Sequence, residues 1–202
     1  MFDYRDYHRT VVGYHGTTAA VADRLVEGGA FTQSSKIYEW LGTGVYFWEY
    51  APRQAWWWTK DLRKNAKPAV VGAMIRLGNC LDLLDPENVR WLKSVYGDMM
   101  GTWRQAKAQI PRNVRDKRYL DCAVLNWVYS QSETSATPIE TSRGVFVPTD
   151  NKKRVWKGSW IYEEAHIQIC IRNPQNILAL WHVRPSGRYG KGQEGDDSES
   201  NG

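Results

Sequence analysis

Residues 164–172 read Glu-Ala-His-Ile-Gln-Ile-Cys-Ile-Arg, and this stretch decides the fold class. Every second position from Ala165 to Ile171 is apolar and the positions between are more polar, which predicts a strand with one face in the core. Asn-Pro at 173–174 ends the strand, and the apolar run Ile177–Val183 predicts a further strand directly after it.

Working outward, the rest of the chain predicts short strands and helices in groups. The predicted strands are Val11–Tyr14, Val45–Trp48, Ala69–Leu77 and Gly144–Val147. The predicted helices are Thr17–Glu27, Pro52–Leu62, a stretch from Pro86 to Trp91 or beyond, and Tyr119–Ser130. Because strands and helices do not alternate strictly, we expect an α+β fold with a mostly antiparallel sheet.

Composition excludes several classes of protein. The chain has 202 residues, a formal charge of +5 and 42% hydrophobic residues, which is typical of a globular domain. It has no apolar run of 18 residues and a charged N-terminus, so we expect no membrane span, no secretory signal and a cytoplasmic location. We expect one domain over residues 1–184 and a disordered acidic, Gly- and Ser-rich tail over 185–202.

Tyr14-His15-Gly16-Thr17-Thr18 is the first candidate for chemistry. A His at the end of a strand, followed by Gly and two hydroxyl residues, presents several hydrogen-bonding groups, and Gly lets a ligand approach the main chain. The alternative is that Thr17 or Thr18 caps the following helix and His15 is incidental.

A second candidate combines a glycine-flanked turn with aromatic residues. Leu41–Glu49 reads LGTGVYFWE, and three consecutive Trp follow at 56–58. Successive helical residues point about 100° apart, so the three indoles cannot all enter one core. We therefore expect at least one Trp to line a groove or to lie at the surface, where a flat heteroaromatic ligand would stack.

Together these segments resemble the ADP-ribosyltransferases of the diphtheria-toxin and poly(ADP-ribose) polymerase-like type, which carry a His-Tyr-Glu triad. The resemblance rests on YHGT at 14–17, WLGTGVYFWE at 40–49, RGVF at 143–146 and AHIQICIRNPQNI at 165–177. It implies a split antiparallel sheet flanked by helices, NAD as the substrate and no metal. It also implies transfer of ADP-ribose with release of nicotinamide.

The resemblance assigns roles residue by residue. It implies that His15 binds the adenosine ribose of NAD, that the main chain of Gly16 holds the nicotinamide carboxamide, and that Thr17 is the hydroxyl residue beside it. It also implies that Tyr46 packs on the nicotinamide ring. The second aromatic residue of the polymerases, eleven positions after that Tyr, corresponds to Trp57, so the resemblance implies that the nicotinamide ring is sandwiched between Tyr46 and Trp57.

The third member of the triad departs from the family pattern. The family often has a Glu on a late strand, and the polar face of the strand here carries Glu164 and Gln168. The alignment favours Gln168, with Glu164 as the alternative. Gln can orient a ribose but cannot act as a base, so we expect transfer of a single ADP-ribose rather than polymer growth.

Two basic segments suggest a nucleic-acid acceptor. The stretch Arg104–Arg118 has six basic residues against a single acid, and Asn151–Gly158 is a basic loop that contains Trp156. Cations that follow phosphates and aromatics that stack on bases predict RNA or single-stranded DNA, with a protein acceptor as the alternative. The predicted contact residues are Arg104, Lys107, Arg112, Arg115, Lys152, Lys153 and Arg154.

The resemblance further implies an intracellular toxin or phage-defence effector with a neutralising antitoxin protein. The alternatives are a catalytically inactive NAD- or ADP-ribose-binding module and a plain RNA-binding domain. The enzyme hypothesis requires that His15 and Tyr46 share one cleft.

Overall fold

The computed structural model describes residues 9–62, 66–115, 117–148 and 153–184. Its strands are β1 (Thr10–Thr18), β2 (Val45–Glu49), β3 (Pro68–Arg76), β4 (Cys80–Asp82), β5 (Thr141–Phe146), β6 (His166–Ile171) and β7 (Ile177–His182). Its helices are α1 (Ala19–Val26), α2 (Pro52–Leu62), α3 (Pro86–Gln105) and α4 (Tyr119–Ser132), with a 3₁₀ turn at Pro174–Asn176. The predicted tail over 185–202 lies outside the described residues.

The described strands form one sheet in the order β4-β5-β6-β2-β1-β3-β7. Neighbouring strands are antiparallel except β4 and β5, which are parallel, so the predicted α+β class with a mostly antiparallel sheet is confirmed. The sheet is continuous in its pairing rather than fully split. It does open between β1 and β2, which share only two pairs, Gly13–Glu49 and Tyr14–Trp48.

Helices cover both faces of the sheet. Helix α1 packs over Val71 on one face, next to a core of β2, β3 and β6 side chains that includes Phe47. Helix α2 packs over Val70 and Trp48 on the opposite face. Helices α3 and α4 pack on each other and on Leu81 of β4.

The prediction was wrong for the beginning of α1. Strand β1 was expected to end at Tyr14, but it pairs with β3 as far as Thr18 and Pro68, and α1 begins only at Ala19. Thr18 occupies the N-cap position without a side-chain capping bond. A continuous ladder to a long neighbouring strand outweighs the weak helix preference of two threonines. His15, Gly16 and Thr17 are therefore strand residues.

Strand β4 was not predicted because it is only three residues long. It is held by a buried charge network. Arg143 of β5 donates to both carboxylate oxygens of Glu49, at 2.5 and 2.8 Å, and reaches Asp82 of β4 at 3.2 Å. Arg9 also binds Asp82, at 2.6 Å. These contacts raise the pKa of the Arg143 guanidinium, and the network joins the end of β2 to β4 and β5.

The connection between β5 and β6 contains a small hairpin, residues 153–163. The main chain of Val155 donates to Ile161 at 3.1 Å, and that of Glu163 donates to Lys153 at 2.9 Å. Gly158, with a φ of 81°, lies in its turn. The guanidinium of Arg154 lies over the rings of Trp160 and Tyr162, so it supports the hairpin from within.

Candidate functional site

The candidate site begins where β1 and β2 separate. Along β1, the main-chain N–H and C=O groups of successive residues point alternately to one neighbouring strand and to the other. The amide of Tyr50 donates to the carbonyl of Val12, so the main-chain groups of the even-numbered residues of β1 point toward β2. After the Tyr14–Trp48 pair, the next such bond would join Gly16 to Tyr46. Instead, Nδ1 of His15 donates to the carbonyl of Tyr46 at 2.9 Å. This side-chain hydrogen bond replaces the main-chain bond between Gly16 and Tyr46, and β1 and β2 diverge beyond it.

A cleft of about 1040 Å³ lies at this opening. His15 and Thr17 leave β1 on the α1 face, and Tyr46 leaves β2 on the α2 face, because side chains alternate along a strand. The cleft runs through the opening between the strands, so both faces contribute to it. Its walls include most of the predicted catalytic and cofactor-binding residues, namely His15, Thr17, Tyr46, Trp57, Glu164 and Gln168.

Gly16 is the predicted residue that does not line the cleft. It is buried under α2, and a Cβ there would lie 2.2 Å from the carbonyl oxygen of Ala55. Thr59 donates to the carbonyl of Thr17 at 3.1 Å and fixes the helix in this close position. The main-chain groups of Gly16 point toward the gap that β2 has left. The glycine is thus required for packing, and the predicted contact with a ligand would involve its backbone alone.

His15 is held by aromatic contacts as well as by its hydrogen bond. Its ring lies edge-on to Phe31 at 5.4 Å and tilted to Phe47 at 5.5 Å between centroids. Since a carbonyl can only accept, Nδ1 carries the proton toward Tyr46, and in the neutral ring Nε2 is the acceptor.

Tyr46 presents a neutral phenol. Its hydroxyl donates to the carbonyl of Gly42 at 2.7 Å, and burial raises its pKa far above the ordinary value of 10.0. The phenol therefore remains protonated at physiological pH.

Gln168 is oriented by a chain of hydrogen bonds. The indole of Trp40 donates to its Oε1 at 2.6 Å, and its amide nitrogen donates to Nε2 of His166 at 3.0 Å. Nδ1 of His166 in turn donates to the carbonyl of Glu164 at 2.6 Å. This tautomer requires a neutral imidazole, and burial lowers the pKa of His166 accordingly. The amide keeps one N–H and one lone pair with which to bind a ligand.

Glu164 lies at the edge of the same cleft. Its carboxylate forms an ion pair with Lys153, and both side chains are partly exposed. Glu164, the alternative candidate for the third triad position, is thus paired with a cation, whereas Gln168 is held by an indole and an imidazole.

One wall of the cleft is aromatic. The ring of Phe146 stacks on that of His166, with 5.1 Å between their centroids. The centroid of the His166 ring lies 6.3 Å from that of Trp48, which lies 5.5 Å from that of Trp58. Trp40 continues this wall, at 6.3 Å from Phe146. These spacings are those of interacting rings, so the wall suits a flat ligand.

The three consecutive Trp residues separate as the helical geometry requires. Trp56 and Trp58 pack beside the buried Trp48, whereas Trp57 is 51% exposed and lines the cleft. The expectation that at least one of them lines a groove or lies at the surface is confirmed. The sandwich of a ligand ring between Tyr46 and Trp57 stays a prediction.

Sequence reasoning missed Glu39, a second carboxylate of the cleft. Its Oε2 is buried and has no hydrogen-bond partner among the described residues. Burial raises the pKa of the Glu39 carboxyl above its ordinary 4.5, against the lowering effects of Ser34 and Lys36. The signal was present, because Glu39 directly precedes Trp40 and the glycine turn, but that segment was interpreted through its aromatic and glycine residues.

The predicted nucleic-acid contacts fall into two groups. Arg104, Lys107, Arg112 and Arg115 are exposed and lie outside the cleft walls. Lys153 pairs with Glu164, Arg154 donates to the carbonyl of Ser159 within the hairpin, and Lys152 lies outside the described residues. Four cations that are not among the predicted contact residues line the cleft itself, namely Arg24, Lys36, Lys117 and Arg118. The last two belong to the predicted basic stretch Arg104–Arg118.

The described part of the chain contains no cluster of three or more His, Cys, Asp or Glu side chains able to hold a metal ion. None of its helices has the length and apolar character needed to cross a membrane.

Comparison with known proteins gives a distant relative. The chain is 23% identical over 188 residues to an uncharacterised protein of Methanocaldococcus jannaschii, and the match covers 84% of this chain and 86% of that protein. No family model and no solved structure matches the chain.

We predict that Gly16→Ala destabilises the fold, because its methyl group would meet the carbonyl of Ala55. The expected loss in the free energy of unfolding is about 1–3 kcal/mol, measured by urea denaturation. Gly97→Ala is the matched control, since a Cβ there meets nothing within 4 Å in α3 and should stabilise by about 0.5–1 kcal/mol. Equal stability of the Gly16→Ala variant and the parent would contradict the close approach of α2.

Glu39→Gln should become more stabilising as the pH rises. A carboxyl with a raised pKa in the folded state ionises first in the unfolded chain, so wild-type stability is lost as the pH rises above 4.5 toward the folded pKa. Gln does not ionise and escapes this loss. Between pH 4 and pH 7, the unfolding free energy of the variant should therefore increase relative to that of the wild type. A difference that is independent of pH would show that Glu39 is not buried as described.

Proposed function

We propose that this protein is an NAD-dependent mono-ADP-ribosyltransferase that transfers ADP-ribose to a macromolecular acceptor and releases nicotinamide. The observation that carries the proposal is the opening between β1 and β2. The cleft at this opening has His15 on one face of the sheet and Tyr46, Trp57 and Gln168 toward the other. The resemblance in sequence assigned roles to the same residues.

The chemistry fits the groups that line the cleft. The bond between the anomeric carbon of the nicotinamide ribose and the ring nitrogen breaks, and its electron pair neutralises the pyridinium charge. The acceptor then bonds to the same carbon and loses a proton. A flat leaving group suits an aromatic wall, and a cleft that limits water favours transfer over hydrolysis. The transition state has positive charge on the ribose.

Each residue has a role consistent with its placement. His15 would orient the adenosine ribose on the α1 face, and Tyr46 would pack on the nicotinamide on the α2 face. Gln168, fixed by Trp40 and His166, would orient the nicotinamide ribose through its remaining N–H and lone pair. It cannot remove a proton, which favours a single transfer to an acceptor that is already nucleophilic.

An unpaired base of RNA or single-stranded DNA is the acceptor that the surface favours. The hairpin 153–163 carries Trp160, 89% exposed, and Trp156, 62% exposed. Phe146 and Glu164, on either side of this hairpin in the chain, line the cleft. Large exposed aromatics on an ordered hairpin beside a cleft are typical of surfaces that stack on bases.

The biological role that follows is that of a toxin or defence effector, which a neutralising antitoxin protein would control. The competing function is an inactive NAD- or ADP-ribose-binding module. It is favoured by the amide of Gln168 in the position where the family often has a carboxylate.

Incubation with NAD should release nicotinamide, measured by chromatography. His15→Ala and Tyr46→Ala should lower the rate by about 10²-fold, the effect of misplacing bound reactants. His182→Ala is the matched control, because His182 is half exposed on β7 and lies outside the cleft. Thermal protection by NAD without any nicotinamide release would support the inactive binding module instead.

Labelled NAD should modify nucleic acid when it is incubated with total RNA, single-stranded DNA and a protein extract in separate reactions. Trp160→Ala should lower transfer to the nucleic acid by about tenfold, since one stacked base contributes about 1–3 kcal/mol. Nicotinamide release without acceptor should be unchanged. Trp91→Ala, which removes an exposed Trp of α3 outside the cleft, should transfer normally. Label found in protein alone would rule out the nucleic-acid acceptor.

A further inference from the structure

Three cationic side chains meet on one stretch of the cleft wall. Lys36 belongs to the connection between α1 and β2, whereas Lys117 and Arg118 directly precede α4. The ring of Tyr38 lies between the two segments, with the ammonium of Lys36 at 6.0 Å and that of Lys117 at 5.6 Å from its centroid.

Main-chain bonds hold these cations in place. The amide of Arg118 donates to the carbonyl of Tyr38 at 3.1 Å and ties the two segments together. Val114 and Lys117 exchange main-chain bonds at 2.9 and 3.0 Å, in a turn where Arg115 has a φ of 53°. Lys117 therefore projects from a closed turn rather than from a long loop.

This stretch of the wall carries three cations against one carboxyl, that of Glu39. The ion pairs found among the described residues do not include Lys36, Lys117 or Arg118. Lys36 acts electrostatically on the Glu39 carboxyl, whose pKa burial raises, so this carboxyl offsets only part of the positive charge. A cleft wall with an excess of one charge attracts a ligand of the opposite sign.

Phosphate is the anion that this combination suits. A guanidinium offers paired N–H donors that match two phosphate oxygens, and a lysine adds a point charge with three donors. The basic stretch that begins at Arg104 also ends here, at Arg118, so a phosphate chain that follows it would enter the cleft at this place.

We propose that Lys36, Lys117 and Arg118 form a phosphate-binding site in the wall of the cleft. The phosphate groups come from one of two sources, the diphosphate of the dinucleotide or the backbone of the acceptor nucleic acid. The choice between these sources rests on the proposed function, whereas the phosphate site itself does not.

The test uses the double variant Lys117→Gln, Arg118→Gln and the single variant Lys36→Gln. Calorimetry at low salt measures binding of inorganic pyrophosphate, NAD and a single-stranded RNA of about twelve nucleotides. Arg90→Gln, Lys93→Gln is the control of equal charge change, because both residues are exposed on α3 and lie outside the cleft. Circular dichroism and thermal unfolding confirm that each variant is folded.

Pyrophosphate should bind the double variant about 10- to 100-fold more weakly than the parent, as expected for the loss of hydrogen bonds to a charged group. The Lys36 variant should show a smaller loss, and the control should show none. A parallel loss for NAD assigns the site to the dinucleotide diphosphate, and a parallel loss for RNA alone assigns it to the acceptor backbone.

Pyrophosphate binding that is absent from the parent, or equal in the parent and the double variant, would overturn the site. If the parent binds pyrophosphate through these residues but neither binds nor consumes NAD, the phosphate site stands and the proposed transferase function fails.

Discussion

The site depends on one hydrogen bond, from the imidazole of His15 to the carbonyl of Tyr46. In an uninterrupted antiparallel sheet, that carbonyl would accept from the main chain of Gly16. Because the His15 imidazole donates to the carbonyl of Tyr46, that carbonyl stays paired where β1 separates from β2 and continues alongside β3. The gap exposes both faces of the sheet to one ligand, which a sheet closed along its whole length does not allow.

Packing and hydrogen bonds fix the aromatic wall of the cleft. Gly144 allows Trp40 to lie against β5, since a Cβ there would come within 2.6 Å of the indole ring. Trp40 then fixes the amide of Gln168, and Gln168 fixes the tautomer of His166. The deep wall is thus made of neutral groups with defined hydrogen positions, and the cations stand elsewhere on the wall.

Much of the fold could be predicted from the sequence because its signals are local. The alternation along Ala165–Ile171 specified β6, and Pro52 marked the first residue of α2. The residues of YHGT were identified as functional candidates, and the four triad candidates, His15, Tyr46, Gln168 and Glu164, all line one cleft. The helical assignment of Thr17 failed because the preference of single residues is weaker than pairing with a strand more than fifty positions away.

The missed residues share a different physical cause. Glu39 is unusual only because packing buries one of its oxygens, and Lys36 matters only because a turn at Lys117 brings a second cation to the same tyrosine. Neither the burial of Glu39 nor the approach of two cations to Tyr38 can be inferred from a short segment of sequence. Burial and convergence are created by contacts between distant segments, so they become visible only in three dimensions.

The buried network of Arg143, Glu49, Asp82 and Arg9 has an evolutionary consequence. Removing Arg143 would leave the buried carboxylates of Glu49 and Asp82 without their shared partner, which is costlier than exchanging these three residues together for apolar residues of similar volume. These positions are therefore constrained as a unit. Substitutions should accumulate there jointly across descendants of a common ancestor, while the exposed arginines and lysines of the surface diverge one at a time.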